Sequence, residues 1–211
     1  MKNKILTLDA GFVIVALISC SNKIIRLTSD NLDVRNRDIV SVNSRTKSLI
    51  LNDRQGDGMA LIKGLEFEKG IIELELKGEN NPGSSFVGIA FNIQNDSTYE
   101  AVYFRPFNFR SDEKTRREHS VQYIYHPKFT WRFLRTNHTM QFEAEYPRQP
   151  SPEDWFGVQV IIDDKTFTVY DRQTNTKLLS VDRLAQQVSD RLGLWTGFNS
   201  KGEFRNLKIK N

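Results

Sequence analysis

Residues 86–105 read FVGIAFNIQNDSTYEAVYFR, and this stretch decides the fold class. Apolar and polar residues alternate through Phe86–Gln94 and again through Thr98–Arg105, and three turn-forming residues, 95–97, lie between the two segments. Alternation with a period of two is typical of half-buried strands, and a short polar turn joins two such strands into a hairpin. The stretch therefore predicts an antiparallel β-hairpin.

The same alternation recurs along most of the chain. Further strands are predicted at 38–43, 47–52, 59–62, 65–67, 71–76, 120–125, 154–162, 166–171, 176–181, 191–197 and 203–209. Helix-like spacing predicts one or two helical turns within 126–137, and a second short helix is expected at 184–189. Roughly a dozen short strands with almost no helix indicate an all-β sandwich or barrel.

The composition fits one folded domain. The chain has 211 residues, of which 38% are hydrophobic and 27% charged, so a core can form and a long disordered chain is not expected. The net charge of +4 is small, and the densest basic stretch, 114–117, has acidic residues on both sides. Nucleic-acid binding needs an unopposed basic surface, so no nucleic-acid partner is predicted.

The first 20 residues have the organisation of an export signal. Lys2 and Lys4 precede an apolar stretch at 11–18, which is shorter than the roughly 20 residues that span a bilayer. Residues 17–20, LISC, end in the single cysteine of the chain and resemble the bacterial lipobox. That resemblance implies a lipid-modified Cys20 after cleavage. The alternative is a plain secretory signal with an incidental cysteine.

These features predict three segments. Residues 1–20 are expected to be a lipoprotein signal peptide, 21–36 a polar tether and 37–211 the β-sandwich domain. Several acyl chains on one residue give stable membrane anchoring, whereas a single chain does not. The mature protein is therefore expected to be exported and held in the cell envelope, on the periplasmic side or at the cell surface.

A series of motifs extends from about residue 38 to the C-terminus. It comprises FEKGIIE at 67–73, SFVGIAF at 85–91, YEAVYFRPFN at 99–108, VQYI at 121–124, Trp131 with Leu134-Arg135, Trp155, GLW at 193–195 and FRNL at 204–207. The series resembles a bacterial lipoprotein family of the concanavalin A-like lectin/glucanase superfamily, related to 3-keto-disaccharide hydrolase-like domains. The resemblance implies a jelly-roll β-sandwich of two stacked antiparallel sheets, with glycans on the concave face of one sheet.

Aromatic and planar polar residues are the candidates for a glycan site. Aromatic faces pack on the C–H side of a pyranose, while planar polar groups orient its hydroxyls. Tyr103 and Arg105 share one face of a strand by the period of two. The expected carbohydrate-binding residues are Tyr103, Arg105, Asn108, Gln122, Tyr123, Trp131 and Arg135.

Each of the stronger candidates has a structural alternative. Arg105 can instead pair with an acid and pin the following loop to the sheet, because a buried arginine usually has a structural partner. Trp131 and Arg135 are four residues apart and share a helix face, so they either close one end of a cleft or leave Trp131 as a plug at the sandwich edge. Trp155 and Trp195 lie in strand patterns and are expected in the core.

The residues that glucanase chemistry needs are incomplete. Glu73 and Glu75 share a strand face, and a retaining glycosidase needs two carboxyls about 5 Å apart. The laminarinase-type Glu-x-Asp-x-Glu motif of the superfamily is absent, because residues 73–77 read ELELK. The two glutamates are expected to be solvated strand carboxylates. Glu100 or Glu143 is left as a candidate acid beside Arg105, so enzymatic activity stays open.

No cofactor is predicted. The three histidines of the chain lack the spacing of metal ligands. The loop residues Asp53, Asp57 and Asp96 leave a structural calcium site open, although no loop has a dense run of acidic ligands.

The residues leave three functions open. A surface-anchored lectin-like domain that binds or handles carbohydrate is expected first, and it requires a groove of aromatic and polar side chains. A glycoside hydrolase or 3-keto-glycoside hydrolase acting on oligosaccharides is the alternative, and it requires facing carboxyls. A non-catalytic protein-interaction scaffold is the third, and it requires an exposed apolar patch.

Overall fold

The computed structural model describes residues 22–210, in which two antiparallel β-sheets lie face to face. The strands are β1 (Asn22–Ile24), β2 (Leu32–Arg35), β3 (Ile39–Asn43), β4 (Ser48–Leu51), β5 (Gly58–Ile62), β6 (Gly70–Lys77), β7 (Val87–Asn95), β8 (Thr98–Phe104), β9 (Val121–His126), β10 (Glu143–Ala144), β11 (Phe156–Ile162), β12 (Thr166–Asp171), β13 (Thr176–Asp182), β14 (Gly193–Thr196) and β15 (Gly202–Lys210). The helices are α1 (Lys114–Arg117) and α2 (Trp131–Asn137), with 3₁₀ turns at Ser29–Asn31 and Pro106–Asn108. Neither of these helices is long and apolar enough to cross a membrane. The architecture is an all-β jelly-roll sandwich, as predicted.

The strand order defines two sheets. The front sheet has the order β10-β9-β8-β7-β14-β5-β2, and the back sheet has the order β13-β12-β11-β6-β15-β4-β3, with β1 also paired to β15. The hairpin predicted from residues 86–105 is confirmed as β7 and β8, in which Gly88 pairs with Tyr103 and Asn95 pairs with Thr98. The strands predicted at 38–43 and 47–52 are confirmed as β3 and β4, which pair with each other.

Aromatic rings from both sheets meet in the core between them. Tyr123 of β9 stacks on Phe167 of β12 with ring centroids 4.2 Å apart, and Phe91 of β7 stacks on the same ring at 5.8 Å. Phe104 of β8 packs edge-on against Phe156 of β11 at 5.2 Å. Burial of large rings is a dominant stabilising contribution. Because neighbouring residues of a strand point to opposite faces, the residues on either side of Phe104 point outward from the front sheet.

A buried ion pair holds the connection from the back sheet to the front sheet. The carboxylate of Glu100 on β8 lies 2.5 Å from the guanidinium of Arg183, which follows β13. The side chains of Asn92 and Tyr123 donate hydrogen bonds to the same carboxylate. A buried charge is tolerated when it is both paired and hydrogen-bonded. Glu100 is therefore committed to the core and is not the acid beside Arg105 that the sequence left open.

The helix expected at 184–189 is absent, and the segment is irregular. Its backbone N–H groups donate instead to the Tyr123 hydroxyl and to Oδ1 of Asn92. These side chains satisfy the backbone without an intrahelical ladder, so the segment can cross between the sheets in an extended form. The strand expected at 65–67 is likewise irregular.

The segment expected to be a tether, 21–36, belongs to the sandwich over its described part. β1 pairs with β15 in the back sheet, and β2 pairs with β5 as the last strand of the front sheet. Leu27 and Leu32 are 6% and 3% exposed and pack in the core. The two leucines are five residues apart and show no period of two, so the local pattern does not reveal pairing that tertiary contacts create. The domain includes Asn22 and does not begin at residue 37.

Replacing Leu32 by alanine should lower the free energy of unfolding by about 2–5 kcal/mol, because a buried leucine leaves a cavity behind. Urea denaturation measures the change. Ile24→Ala is the matched control, since Ile24 lies in the same segment but is 69% exposed. That variant should change the free energy by less than about 0.5 kcal/mol. Equally small effects in both variants would restore the tether interpretation.

Candidate functional site

A cavity of about 570 Å³ lies against the outer face of the front sheet. Its floor comes from β8, β9 and β14, and its walls come from the loops that flank them and from α2. Its aromatic side chains are Phe86, Tyr103, Phe107, Trp131, Trp195 and Phe198, and its charged and polar side chains are Asp57, Arg105, Asn108, Arg116, His119, His126 and Arg135. Ligand sites are typically cavities of about 300–1,000 Å³ with apolar walls and a few polar groups. This cavity has that character.

Two rings of the cavity floor meet above a glycine. Tyr103 of β8 and Trp195 of β14 both pair with Gly88 of β7, which lies between them in the sheet. Their ring centroids are 5.0 Å apart. A Cβ atom at Gly88 would come within 2.8 Å of the Tyr103 Cβ, so the missing side chain leaves the space in which the two rings pack.

A second pair of rings supports the floor, and His126 is its member that lines the cavity. Tyr99 of β8 stacks on His126 of β9 at 5.2 Å, and the Tyr99 hydroxyl donates to the Asp57 carboxylate at 2.9 Å. Nε1 of Trp195 donates to the same hydroxyl at 3.2 Å. Burial lowers the pKa of the His126 imidazole below its usual value, because the charged form loses hydration. A neutral imidazole both donates and accepts hydrogen bonds.

Arg105 lies where β8 ends before Pro106, and its side chain borders the cavity. Nη1 donates to the backbone carbonyl of His119 at 2.7 Å, and Nη2 donates to the Tyr103 hydroxyl at 2.8 Å. The residue is 6% exposed, and burial lowers the pKa of its guanidinium. None of the ion pairs within residues 22–210 includes it. Arg105 therefore does pin the following loop, but through a carbonyl and without the acid that the structural alternative required.

Trp131 and Arg135 of α2 form one wall of the cavity. The helix begins after Thr130, whose hydroxyl accepts a hydrogen bond from the backbone N–H of Phe133. Helical spacing brings the Arg135 guanidinium to 5.1 Å from the centroid of the Trp131 ring. Trp131 is 38% exposed and borders the cavity. It therefore closes the cavity and is not a plug in the sandwich edge.

Glu143 and His119 lie behind Arg135. The Glu143 carboxylate is 2.8 Å from Nη2 of Arg135 and 2.7 Å from Nδ1 of His119, although the imidazole is not turned for a straight hydrogen bond to it. Burial lowers the pKa of His119, and this effect outweighs the opposing influence of Glu143. The lowered pKa favours the neutral imidazole, which can both donate and accept hydrogen bonds.

The structure brings most of the predicted site residues together. Five of them line the cavity: Tyr103, Arg105, Asn108, Trp131 and Arg135. Gln122 lies one layer behind, fully buried, with Oε1 3.4 Å from Nη2 of Arg105. The prediction for Tyr123 was wrong, because it follows Gln122 on β9 and its ring therefore points into the core.

Several cavity residues were not predicted from the sequence. Trp195 was expected in the core, and it is only 3% exposed, but it packs on the outer face of the front sheet. No local pattern places it beside Tyr103, because that contact depends on β14 lying next to β7. His126 had a usable signal, since it is four residues beyond Gln122 and shares its strand face. His119 lies in an irregular loop and had none.

The paired glutamates of the back sheet are structural. Glu73 and Glu75 are held by Lys210 at 2.5 Å and by Arg205 at 2.7 Å. The hydrogen bond from Lys210 lowers the pKa of Glu73. They were expected to be solvated, but Glu73 is only 7% exposed and both are ion-paired. The difference arises because β15, which carries Lys210 and Arg205, pairs with β6, which carries the two glutamates.

The loop aspartates considered for calcium do not converge. Asp96 is 3.1 Å from Arg35, and Asp57 accepts the hydroxyl of Tyr99. Residues 22–210 contain no group of three or more His, Cys, Asp or Glu side chains placed to hold a metal ion.

Comparison with known proteins shows that the chain is similar in fold to several solved structures. No family model and no curated protein matches the chain. The carbohydrate-binding module CBM66 from Bacillus subtilis superimposes with a TM-score of 0.56 and 12% identity, over 85% of this chain and 95% of that one. A Bacillus subtilis protein of unknown function with a galectin-like fold gives 0.58 and 11%, over 90% and 94%. The kappa-carrageenase from Pseudoalteromonas carrageenovora, in complex with an oligotetrasaccharide of kappa-carrageenan, gives 0.55 and 11%, over 95% and 99%.

These similarities establish the fold class. The chain shares the jelly-roll β-sandwich fold of these proteins, and its sequence motifs implied that fold. Identities of 11–12% carry the fold and no activity, because one fold serves many functions. The residues of the cavity are therefore the basis for a functional proposal.

Proposed function

We propose that this chain is a lectin-like domain that binds carbohydrate in the cavity of the front sheet. The observation that carries the proposal is an aromatic floor bordered by planar polar side chains. Aromatic faces pack on the C–H side of a pyranose, while guanidinium, amide and imidazole groups orient its hydroxyls. The chain shares its fold with a carbohydrate-binding module and with an enzyme that was solved in complex with an oligosaccharide. This similarity supports the proposal.

The cavity offers these groups in a workable arrangement. Trp131 keeps 38% of its surface exposed where it borders the cavity, so its ring can contact a sugar there. Tyr103 and Trp195 form a second apolar surface on the floor. Arg105 and Asn108 border the end where β8 stops, and the carbonyl of His119 accepts from both. The polar groups are held by the fold, which reduces the ordering cost of binding.

Binding is favoured over hydrolysis by the carboxylates of the cavity. Retaining and inverting glycosidases both use two carboxyl groups that flank the scissile bond. Asp57 is the one carboxylate among the described lining residues, and the Tyr99 hydroxyl donates to it. Glu143 is 3% exposed and is covered by Arg135. A binding domain needs no such pair.

We also propose that a lipid on Cys20 holds the domain in the cell envelope. Cys20 lies outside the described residues, so the support comes from the lipobox-like sequence at 17–20. Since β1 begins at Asn22, a single residue separates Cys20 from the first strand. A lipidated protein of this kind would hold its sandwich against the membrane surface, without a spacer.

Replacing Trp131 by alanine should weaken saccharide binding about tenfold or more, because truncating an aromatic anchor in a binding site commonly costs over ~1 kcal/mol. A glycan array identifies the best saccharide, and isothermal titration calorimetry compares its affinity for the two proteins.

Trp155→Ala is the matched control for that measurement. The Arg205 guanidinium lies 4.1 Å from the centroid of the Trp155 ring, much as Arg135 lies over Trp131, but Trp155 is outside the cavity. Its replacement should leave the affinity unchanged. Equal losses in the two variants, or full binding by Trp131→Ala, would contradict the proposed site.

Replacing Cys20 by serine should move the protein from the membrane fraction to the soluble fraction of its cells, because serine cannot carry the thioether-linked lipid. Cell fractionation and incorporation of labelled palmitate measure the effect. Ser21→Ala is the control and should remain labelled and membrane-bound. Unlabelled wild-type protein, or a Cys20→Ser variant that stays with the membrane, would refute the anchor.

A further inference from the structure

Arg105 is a buried positive charge to which residues 22–210 supply no carboxylate. Its three hydrogen bonds go to neutral oxygens: the His119 carbonyl, the Tyr103 hydroxyl and the Gln122 amide. Charged residues are seldom fully buried without a partner of opposite charge. Neutral acceptors replace part of the lost hydration but leave the net charge uncompensated.

The Arg105 guanidinium also has donors to spare. It carries more N–H groups than its three neutral acceptors use, and Nε makes no hydrogen bond to a described residue. The side chain borders the cavity, so a ligand in the cavity can reach it. An anionic group there would form charge-assisted hydrogen bonds, which are stronger than bonds to a neutral hydroxyl.

The other charges around the cavity have mainly the same sign. Arg116 and Arg135 line it together with Arg105, whereas Asp57 is the one carboxylate on the described lining. Arg135 is paired with Glu143 at 2.8 Å, and Arg116 is paired with Glu113 at 3.2 Å. Arg105 is therefore the one arginine of the described lining without an acidic partner. An anionic ligand would therefore be attracted mainly by Arg105.

We propose that the cavity takes an acidic saccharide whose carboxylate or sulfate group binds Arg105. This inference rests on the proposed function, since the cavity must first bind carbohydrate. The aromatic floor holds the apolar face of the sugar ring, and Arg105 holds its charged substituent. Arg116 lies closer to solvent, with its side chain 54% exposed, and is already paired with Glu113 at 3.2 Å.

The direct test compares matched ligands on the full, unmodified chain. One arm uses oligogalacturonides and their methyl esters, and a second arm uses sulfated galactan oligosaccharides and their desulfated forms. In at least one arm the charged ligand should bind about tenfold or more tightly than its neutral partner, as measured by calorimetry. The arm in which the charged ligand binds more tightly than its neutral partner identifies carboxylate or sulfate as the recognised group.

The possible failures are distinguishable. Neutral ligands that bind as tightly as their charged partners would overturn the acidic specificity while leaving carbohydrate binding intact. Absence of binding by charged ligands, neutral ligands and a broad glycan array together would overturn both proposals. The comparison is made on unmodified protein, so it does not depend on the folding of a variant.

A pair of variants then assigns the preference to Arg105. In Arg105→Gln the ratio of charged to neutral affinity should fall close to one. Arg105 lies over the Tyr103 ring at 4.9 Å, and Arg205→Gln is the control because Arg205 lies over the Trp155 ring in the same way but belongs to the back sheet. It should keep the full ratio. A preference that survives in a folded Arg105→Gln protein would show that another residue recognises the anion.

Discussion

The hydrogen bond from Arg105 to the backbone carbonyl of His119 holds the cavity in place. It joins the end of β8 to the loop that forms one wall. The chain leaves the sheet at Pro106, which has no N–H to continue the ladder. Asn108 donates to the same carbonyl at 3.4 Å, so the turn after Pro106 and the far end of the loop are fixed together. The shape of the cavity and its positive charge therefore depend on one side chain.

The alternation in residues 86–105 was enough to predict the hairpin and to place Tyr103 and Arg105 on one strand face. A period of two fixes which side chains of a strand share a face, whatever the rest of the fold does. The same rule excludes Tyr123 once Gln122 is paired opposite Tyr103. Gln122 lies on the outer side of the front sheet, behind the cavity, and Tyr123 points into the core, because neighbouring strand residues cannot face the same way.

Other features depend on contacts that alternation does not encode. Trp195 reaches Tyr103 because β14 lies beside β7, and tertiary packing sets that strand order. Leu32 enters the core because β2 pairs with β5, although the spacing of the local apolar residues predicts no strand. Whether Arg105 has an acid partner likewise depends on loops that meet only in the folded chain. Local patterns therefore predict which side chains share a strand face. Contacts between distant parts of the chain are seen only in the folded structure.

The central claim is that saccharide binds on the outer face of the front sheet. The chain has three tryptophans, and two of them, Trp131 and Trp195, line the cavity, while Trp155 does not. Each indole N–H gives its own signal in a proton–nitrogen-15 correlation spectrum, so binding near each tryptophan can be followed separately. Titration with a bound saccharide should shift the signals of Trp131 and Trp195 and leave that of Trp155 in place. A shift confined to Trp155, or to none of the three while binding is saturated, would contradict the claim.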